Sequence, residues 1–376
     1  MIYLDYNATT PVAPEVLEEM SPYLRDHFGN PSSSHAYGQE ARRAVEKARE
    51  RVAGLLGCQP GEIIFTSGGS EANNLALKGV AFANRHRGRH IITSCIEHPS
   101  VLKTCRYLES HGFRVTYLPA DQYGMVDPEA VRQAITPETI LISIMHANNE
   151  VGTIQPLAAI GAIAREYGIY FHTDAAQSVG KIFTRVDELQ VDLLSVAGHK
   201  LYASKGIGAL YLRKGTVLEP LIHGADHEQG RRAGTENVAG IVGLGKACAV
   251  AREVLPETIP ALISLRDYFF GLLQEKVEVS LNGHPTERLP NTLNVSFAGI
   301  NGARLLENTP ELAASTGSAC HSGSETVSPV LAAMGLGIDR GLGAVRLSLG
   351  RWTTWEEVEY AVGLLSHQVA ILREKR

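Results

Sequence analysis

The strongest constraint on the fold is an alternation. Seven apolar runs of strand length, at 62–65, 90–93, 114–118, 139–145, 168–172, 192–196 and 207–212, are separated mostly by segments with helical spacing. One such segment carries Ala41, Ala44, Val45, Ala48, Val52 and Leu55 on one face, with Arg and Glu between them, and Gly57 as its stop signal. Another starts at Asp127-Pro128, an N-cap followed by proline in the first turn. Strand alternating with helix predicts a mostly parallel seven-stranded sheet covered on both faces.

Beyond about residue 255 the pattern changes. Leu262, Leu265, Phe269, Leu272 and Leu273 mark a long amphipathic helix, after which "VEVSLNG", "NTLNVSF" and "AVRLSLG" read as strands and 354–374 as a final helix. This predicts a smaller α+β domain. The start, "IYLDYNATTP", is a short strand ending in a turn, expected to pair with the smaller domain or to cross the boundary. The division reads as a large domain over 13–260 and a small one formed by 1–12 with 261–376; a chain of 376 residues has ample length for both.

In an open parallel sheet, ligands bind beyond the carboxyl ends of the strands. Five of the apolar runs deliver polar side chains there: "TSGGSEANN", then "CIEHPS" with His98, "HANNEVG" with Asn148 and Asn149, "TDAAQS" with Asp174 and Gln177, and "AGHK" with His199 and Lys200. Each is explicable alone as a cap or loop residue; their joint placement predicts a site.

The glycines and serine of "TSGGSEANN" sit at a helix mouth, where free N–H groups and the helix dipole suit a phosphate. No GxxxxGK[ST] and no strand-linked GxGxxG occurs, which argues against nucleotide cofactors. A phosphate cradle, an acid and a lysine on neighbouring strand ends match the needs of pyridoxal 5'-phosphate. The lysine forms a Schiff base, and a carboxylate keeps the pyridine nitrogen protonated. Lys200 and Asp174 fit these roles, with His98 placed to cover the ring face.

Composition narrows the partners. The 35 basic and 40 acidic residues give a net charge of −5 without long runs, so there is no basic stripe for direct nucleic-acid binding. No apolar run approaches a bilayer span, and the acidic N-terminus does not resemble a signal peptide, which makes a cytoplasmic protein the expectation. Cysteines at 58, 95, 105, 248 and 320 show no CxxC or zinc-like spacing, so neither a disulfide framework nor a metal is implied. Cys58, Cys95, Cys105 and Cys248 read as small buried hydrophobes. Cys320, in the glycine- and serine-rich "STGSACHSGSETVS", cannot pack into a core and reads as exposed.

The chain resembles the cysteine desulfurases of the NifS/IscS type, in the class V, fold-type-I aminotransferase superfamily. The likeness runs nearly end to end, through "YLDYNATTPV", "FGNPSSSH", "FTSGGSEANNLA", "EHPSVL", "MHANNEVGTIQP", "HTDAAQSVGK", "GHKLYASKGIGALYLRKG", "RRAGTENV", "GSACHSGS" and "VRLSLGRWTT". The resemblance implies conversion of L-cysteine to L-alanine, with sulfur passing as a persulfide on Cys320 to an acceptor protein. It makes Lys200 the Schiff-base lysine, Asp174 the pyridinium partner and His98 the ring-stacking acid/base. Asn149 and Gln177 become contacts around the ring oxygen, and Gly69, Ser70 and His199 the phosphate site. Thr235 would reach the partner subunit's phosphate, implying a homodimer with composite sites, and Asn30 and Arg346 would hold the substrate carboxylate.

Several features depart from the family pattern. Ala197 replaces a serine that contacts the phosphate in many relatives, "HGADHEQG" replaces a glycine-rich run, and little follows the last helix. "ACHS" also resembles selenocysteine lyases. A selenocysteine lyase, an ordinary transaminase of the same fold and a catalytically idle relative are the competing readings. The acceptor, in iron–sulfur assembly or in tRNA, DNA or cofactor thiolation, is not named by the sequence.

Overall fold

The computed structural model describes residues 1–316 and 326–374. After a two-residue strand β1 (Ile2–Tyr3), the seven expected runs all become strands: β2 (Ile63–Thr66), β3 (His90–Ser94), β4 (Arg114–Leu118), β5 (Thr139–Ser143), β6 (Tyr170–Asp174), β7 (Leu193–Ala197) and β8 (Gly208–Leu212). They form one sheet in the order β2-β8-β7-β6-β5-β3-β4. Only β8 runs antiparallel to its neighbours β2 and β7.

Because side chains alternate across a strand, each strand feeds two cores. Ile63, Phe65, Ile92, Ile142, Phe171, Leu194 and Tyr211 pack toward the helices Pro14–Arg25, Ala36–Leu56 and Leu157–Glu166. Ile64, Ile91, Leu141, Leu193 and Leu210 pack toward the helices Gly69–Ala83 and Pro99–Glu109. The helix Ala36–Leu56 buries the apolar stripe read from its spacing and stops at Gly57, whose φ of 73° is a left-handed cap that a side chain disfavours. Asp127 caps the helix Pro128–Ala134 by accepting from the Glu129 backbone N–H at 2.9 Å.

The second unit is an antiparallel sheet of β9 (Val279–Asn282), β10 (Thr292–Phe297) and β12 (Ala344–Ser348), in the order β12-β10-β9, covered by the helix Trp355–Glu374. β1 pairs parallel with β11 (Leu312–Ala313), and Asp5 bridges to Ser348. The turn after β1 then crosses to the larger unit, where the Thr10 and Ala13 N–H groups donate to the His199 and Tyr202 carbonyls.

One connection differs from the sequence reading. The change near residue 255 is not an element boundary, since a single helix runs from Val238 to Lys276 through Pro256 and Pro260. Its first half buries Ile241, Leu244 and Ala251 in the large unit's core; its second half buries Leu262, Leu265 and Phe269 in the small unit's core. Helix-interior prolines ordinarily break a helix at a cost of about 3 kcal/mol. Here apolar packing on two cores outweighs that cost. Among the described residues no helix is long and apolar enough to cross a membrane.

Candidate active site

A cavity of about 580 Å³ opens at the carboxyl ends of β2, β7, β6, β5 and β3. It is lined by Gly69, Ser70, His98, Asn149, Asp174, Gln177, His199, Lys200 and Arg346, all expected from the sequence, and by the turn Asn7–Thr9.

Lys200 closes a single helical turn, Gly198–Lys200, that follows β7 directly. Its Nζ donates to the Asn7 carbonyl and, at 2.8 Å, to the Ala8 carbonyl. Burial, reinforced by the Arg346 charge, brings its pKa down from the ordinary lysine range to about 8. A sizeable fraction of such an amine is nucleophilic near neutral pH.

Asp174 is the last residue of β6 and is buried. Its carboxylate accepts from Asn73 Nδ2 at 2.7 Å and from the Ala176 N–H at 3.0 Å. Asn73, on the helix Gly69–Ala83, also donates to Ser100 Oγ at 2.8 Å. His98 caps the helix Pro99–Glu109: the Ser100 N–H donates to Nδ1 at 3.2 Å, which leaves the neutral ring's proton on Nε2. Desolvation holds the His98 pKa below the usual histidine value. Burial together with nearby lysines takes His199 down to about 4, so this ring is neutral and acts as a hydrogen-bonding group rather than a cation.

The segment Ser67–Ser70 forms the cradle at the mouth of a 15-residue helix. Gly68 has φ 152° and ψ −179°, a backbone conformation open essentially to glycine alone. A Cβ on Gly69 would lie 3.2 Å from that of Ala197, and one on Gly208 would lie 2.7 Å from Gly68 Cα. A side chain at Gly69 would press on Ala197, and one at Gly208 on the Val196 carbonyl and the Gly68 backbone. A glycine-rich helix mouth, a carboxylate held by two donors and a lysine with a lowered pKa in one cavity fit pyridoxal 5'-phosphate.

Arg346, on β12, reaches the cavity from the small unit. Its Nη2 donates to Asp5 Oδ1 at 2.7 Å and its Nη1 to the Asn149 carbonyl at 2.9 Å. Asn7 is the hub of the turn: its carbonyl accepts from Lys200 and Gln177, while its side chain bonds Thr292, Lys181 and Asn291. Sequence reasoning passed over Asp5, Asn7, Asn73 and Lys181. The first two stand in the quoted "YLDYNATTPV", where a polar turn beside an expected active-site strand was the available signal.

Two expected residues of the described part do not line this cavity. Asn30 is exposed, and its Oδ1 accepts from the Ser32 N–H at 2.9 Å. Thr235 lines a separate cavity of about 240 Å³ that shares Ser67, Gly206 and Ile207 with the main one. Cys320 lies outside the described residues. The departing segment "HGADHEQG" has a structural role: Glu228 is buried, receives both Nη groups of Arg49 at 2.8 Å and accepts from the Phe65 N–H at 2.9 Å, which ties it to the strand that leads into the cradle.

A mostly parallel sheet with a buried lysine, a buried acid and a glycine-rich helix mouth beyond its strand ends is the architecture of a fold-type-I pyridoxal-phosphate enzyme. The chain belongs to the Aminotransferase class-V family, which it matches over residues 2–361. Within that family it is 52% identical to the cysteine desulfurase IscS of Dictyoglomus turgidum over 375 residues, covering 99% of this chain and 95% of that protein. Among solved structures it resembles a NifS-like protein with a TM-score of 0.93 and 40% identity, over 98% of this chain and 99% of that one. It also resembles the structure titled "SspA in complex with cysteine", with a TM-score of 0.84 and 44% identity over 94% and 100% of the two chains.

Proposed function

We propose that this protein is a pyridoxal-phosphate-dependent cysteine desulfurase that converts L-cysteine to L-alanine and passes the sulfur on from Cys320. The observation that carries the reading is the meeting of Lys200, Asp174 and the Gly69–Ser70 cradle in one cavity, in a chain about half identical to a named cysteine desulfurase.

When bound, pyridoxal 5'-phosphate supplies an electrophilic carbon and an electron sink. The chain's own residues do the rest. Gly69, Ser70 and His199 would hold the phosphate, and Asp174, fixed by Asn73, would keep the pyridine nitrogen protonated. Arg346 grips the substrate carboxylate, a task for which a planar fork is suited. Lys200 Nζ, with a pKa of about 8, moves the proton at the substrate Cα. His98 Nε2 serves the substrate thiol. The Cys320 thiolate then forms an S–S bond to the substrate sulfur as the Cβ–S bond breaks, so that L-cysteine and a protein thiol become L-alanine and a protein persulfide.

A homodimer completes the site in this reading. It is supported by the position of Thr235, which lines its own cavity rather than the main one. A large unit of 13–260 holds the cofactor, and a small unit of 1–12 with 261–376 carries Arg346 and Cys320. The protein works in the cytoplasm and delivers persulfide sulfur to a protein acceptor of iron–sulfur assembly or of nucleic-acid or cofactor thiolation.

The deciding experiment is mass spectrometry of the loaded protein after incubation with L-cysteine, with alanine assayed in parallel. One added sulfur on the Cys320 peptide, and loss of both sulfide and persulfide in C320A, is expected. Turnover with Cys320 unmodified, or preserved in C320A, would favour a transaminase; strong inhibition by cysteine of selenocysteine cleavage would favour a selenocysteine lyase.

A further inference from the structure

Lys181 follows Gly180 in the segment after β6 and is buried without a carboxylate partner among the described residues. Its Nζ donates to Asn7 Oδ1 at 2.8 Å and to Gln177 Oε1 at 2.8 Å. A lysine ammonium only donates, so it requires an acceptor atom opposite it. The amide of Gln177 is therefore forced into one of its two flips, with Oε1 toward Lys181. Its Nε2 is then the other arm, donating to the Asn7 carbonyl at 3.0 Å on the cavity side with a second N–H to spare.

The same constraint sets Asn7. Its Oδ1 receives Lys181 and, at 3.1 Å, Asn291 Nδ2, so its Nδ2 must donate, and does so to Thr292 Oγ1 at 2.8 Å and the Asn149 carbonyl at 3.3 Å. The Asn7 carbonyl, which holds Lys200, is thereby pinned to both the large unit and β10.

We propose that Lys181 is a positioning residue that locks the Gln177 and Asn7 amides, so that Gln177 offers the cavity an N–H donor instead of a carbonyl and the turn that docks Lys200 is held in place. The inference rests on the reading of the cavity as the pyridoxal-phosphate site. A buried oxygen-rich ligand edge would meet a donor in the locked state and a repelling carbonyl in the flipped one. Replacing Lys181 by Met keeps its bulk but removes the donor shared by the two amide oxygens, leaving Gln177 held only through the Asn7 carbonyl and Asn7 through Asn291, Thr292 and the Asn149 carbonyl.

The test is a double-mutant cycle on Lys181→Met and Gln177→Leu, read by the rate of pyridoxal-phosphate release and by the pH midpoint of the loaded protein's visible absorbance. In the presence of Gln177, K181M should speed release at least about 5-fold and shift the midpoint; in the Q177L background, where only the bond to Asn7 remains for Lys181 to make, its further effect on both readouts should be clearly smaller. A purely structural lysine would give equal effects in the two backgrounds, or none, and that result overturns the inference. Lys181→Gln, which keeps one donor, should show a smaller effect than K181M, and it carries the cycle if K181M does not fold. If the unsubstituted chain takes up no pyridoxal phosphate, the reading of the site falls and this inference with it. Normal uptake with additive effects overturns the inference alone.

Discussion

Arg346 and Asp5, 341 positions apart in the chain, pair across the edge of the cavity with 2.7 Å between Nη2 and Oδ1. The pair keeps the guanidinium in place, and the Asn149 carbonyl takes a second of its N–H groups. Arg346→Gln removes the charge that, in the proposed function, grips the substrate carboxylate. A charged hydrogen bond is worth about 1.5–3 kcal/mol, so KM for L-cysteine should rise roughly 10- to 100-fold with a smaller change in kcat. Steady-state kinetics will show it; a fall in kcat at constant KM would remove Arg346 from substrate binding.

Lys200 supplies a pH signature. Its ammonium is destabilised by burial and by Arg346, which places its pKa at about 8. The reactive free amine therefore grows as pH rises through about 8, well below the ~10.4 of an unperturbed lysine. The rate at which apo-protein recombines with pyridoxal phosphate should rise with an inflection near pH 8. In R346Q, with the neighbouring positive charge gone, the inflection should move upward. An inflection above pH 10 in the unsubstituted protein would contradict the geometry.

Among the thiols, burial pushes Cys58, Cys105 and Cys248 up to about 12 and raises Cys95 as well. All four are thus held as thiols at neutral pH and react slowly. Brief treatment of the native protein with iodoacetamide near pH 7.5 should label Cys320 first, and C320A should take up far less reagent. Peptide mapping that finds Cys58 or Cys95 labelled as fast as Cys320 would count against it.

Glu228 tests the link between the departing segment and the cradle. Its carboxylate satisfies Arg49 and the Phe65 N–H inside the protein. Glu228→Ala leaves the buried guanidinium with only the more exposed Glu46 carboxylate at 3.2 Å and the Ile63 carbonyl, so the loss should approach the lower end of the roughly 3–5 kcal/mol that breaking a buried pair costs. Chemical denaturation should show a loss of that size. Because Phe65 lies two residues ahead of the cradle, pyridoxal-phosphate affinity should fall too. A change below about 1 kcal/mol would mean that the pair is solvated in solution.

Much of the architecture was legible in the residues. Period-2 apolar runs and 3.6-period helical faces are local signals, and they located all seven strands of the main sheet. The rule that ligands bind at strand ends then carried His98, Asp174 and Lys200 into one cavity. The long helix was harder. Its two prolines and its change of partner halfway hide one continuous element behind two local patterns.

What the sequence by itself determined was the order of the elements and the chemistry that each strand end delivers, since both follow from periodicity and residue type within a few positions. Which side chains lock that chemistry was decided by the tertiary structure. Lys181 meets Asn7, Arg346 meets Asp5 and Arg49 meets Glu228 only after the chain folds back over 174, 341 and 179 positions. A hydrogen bond depends on angstrom-scale distance in space, and no local pattern encodes which buried donor will face which acceptor once two cores have closed on one another.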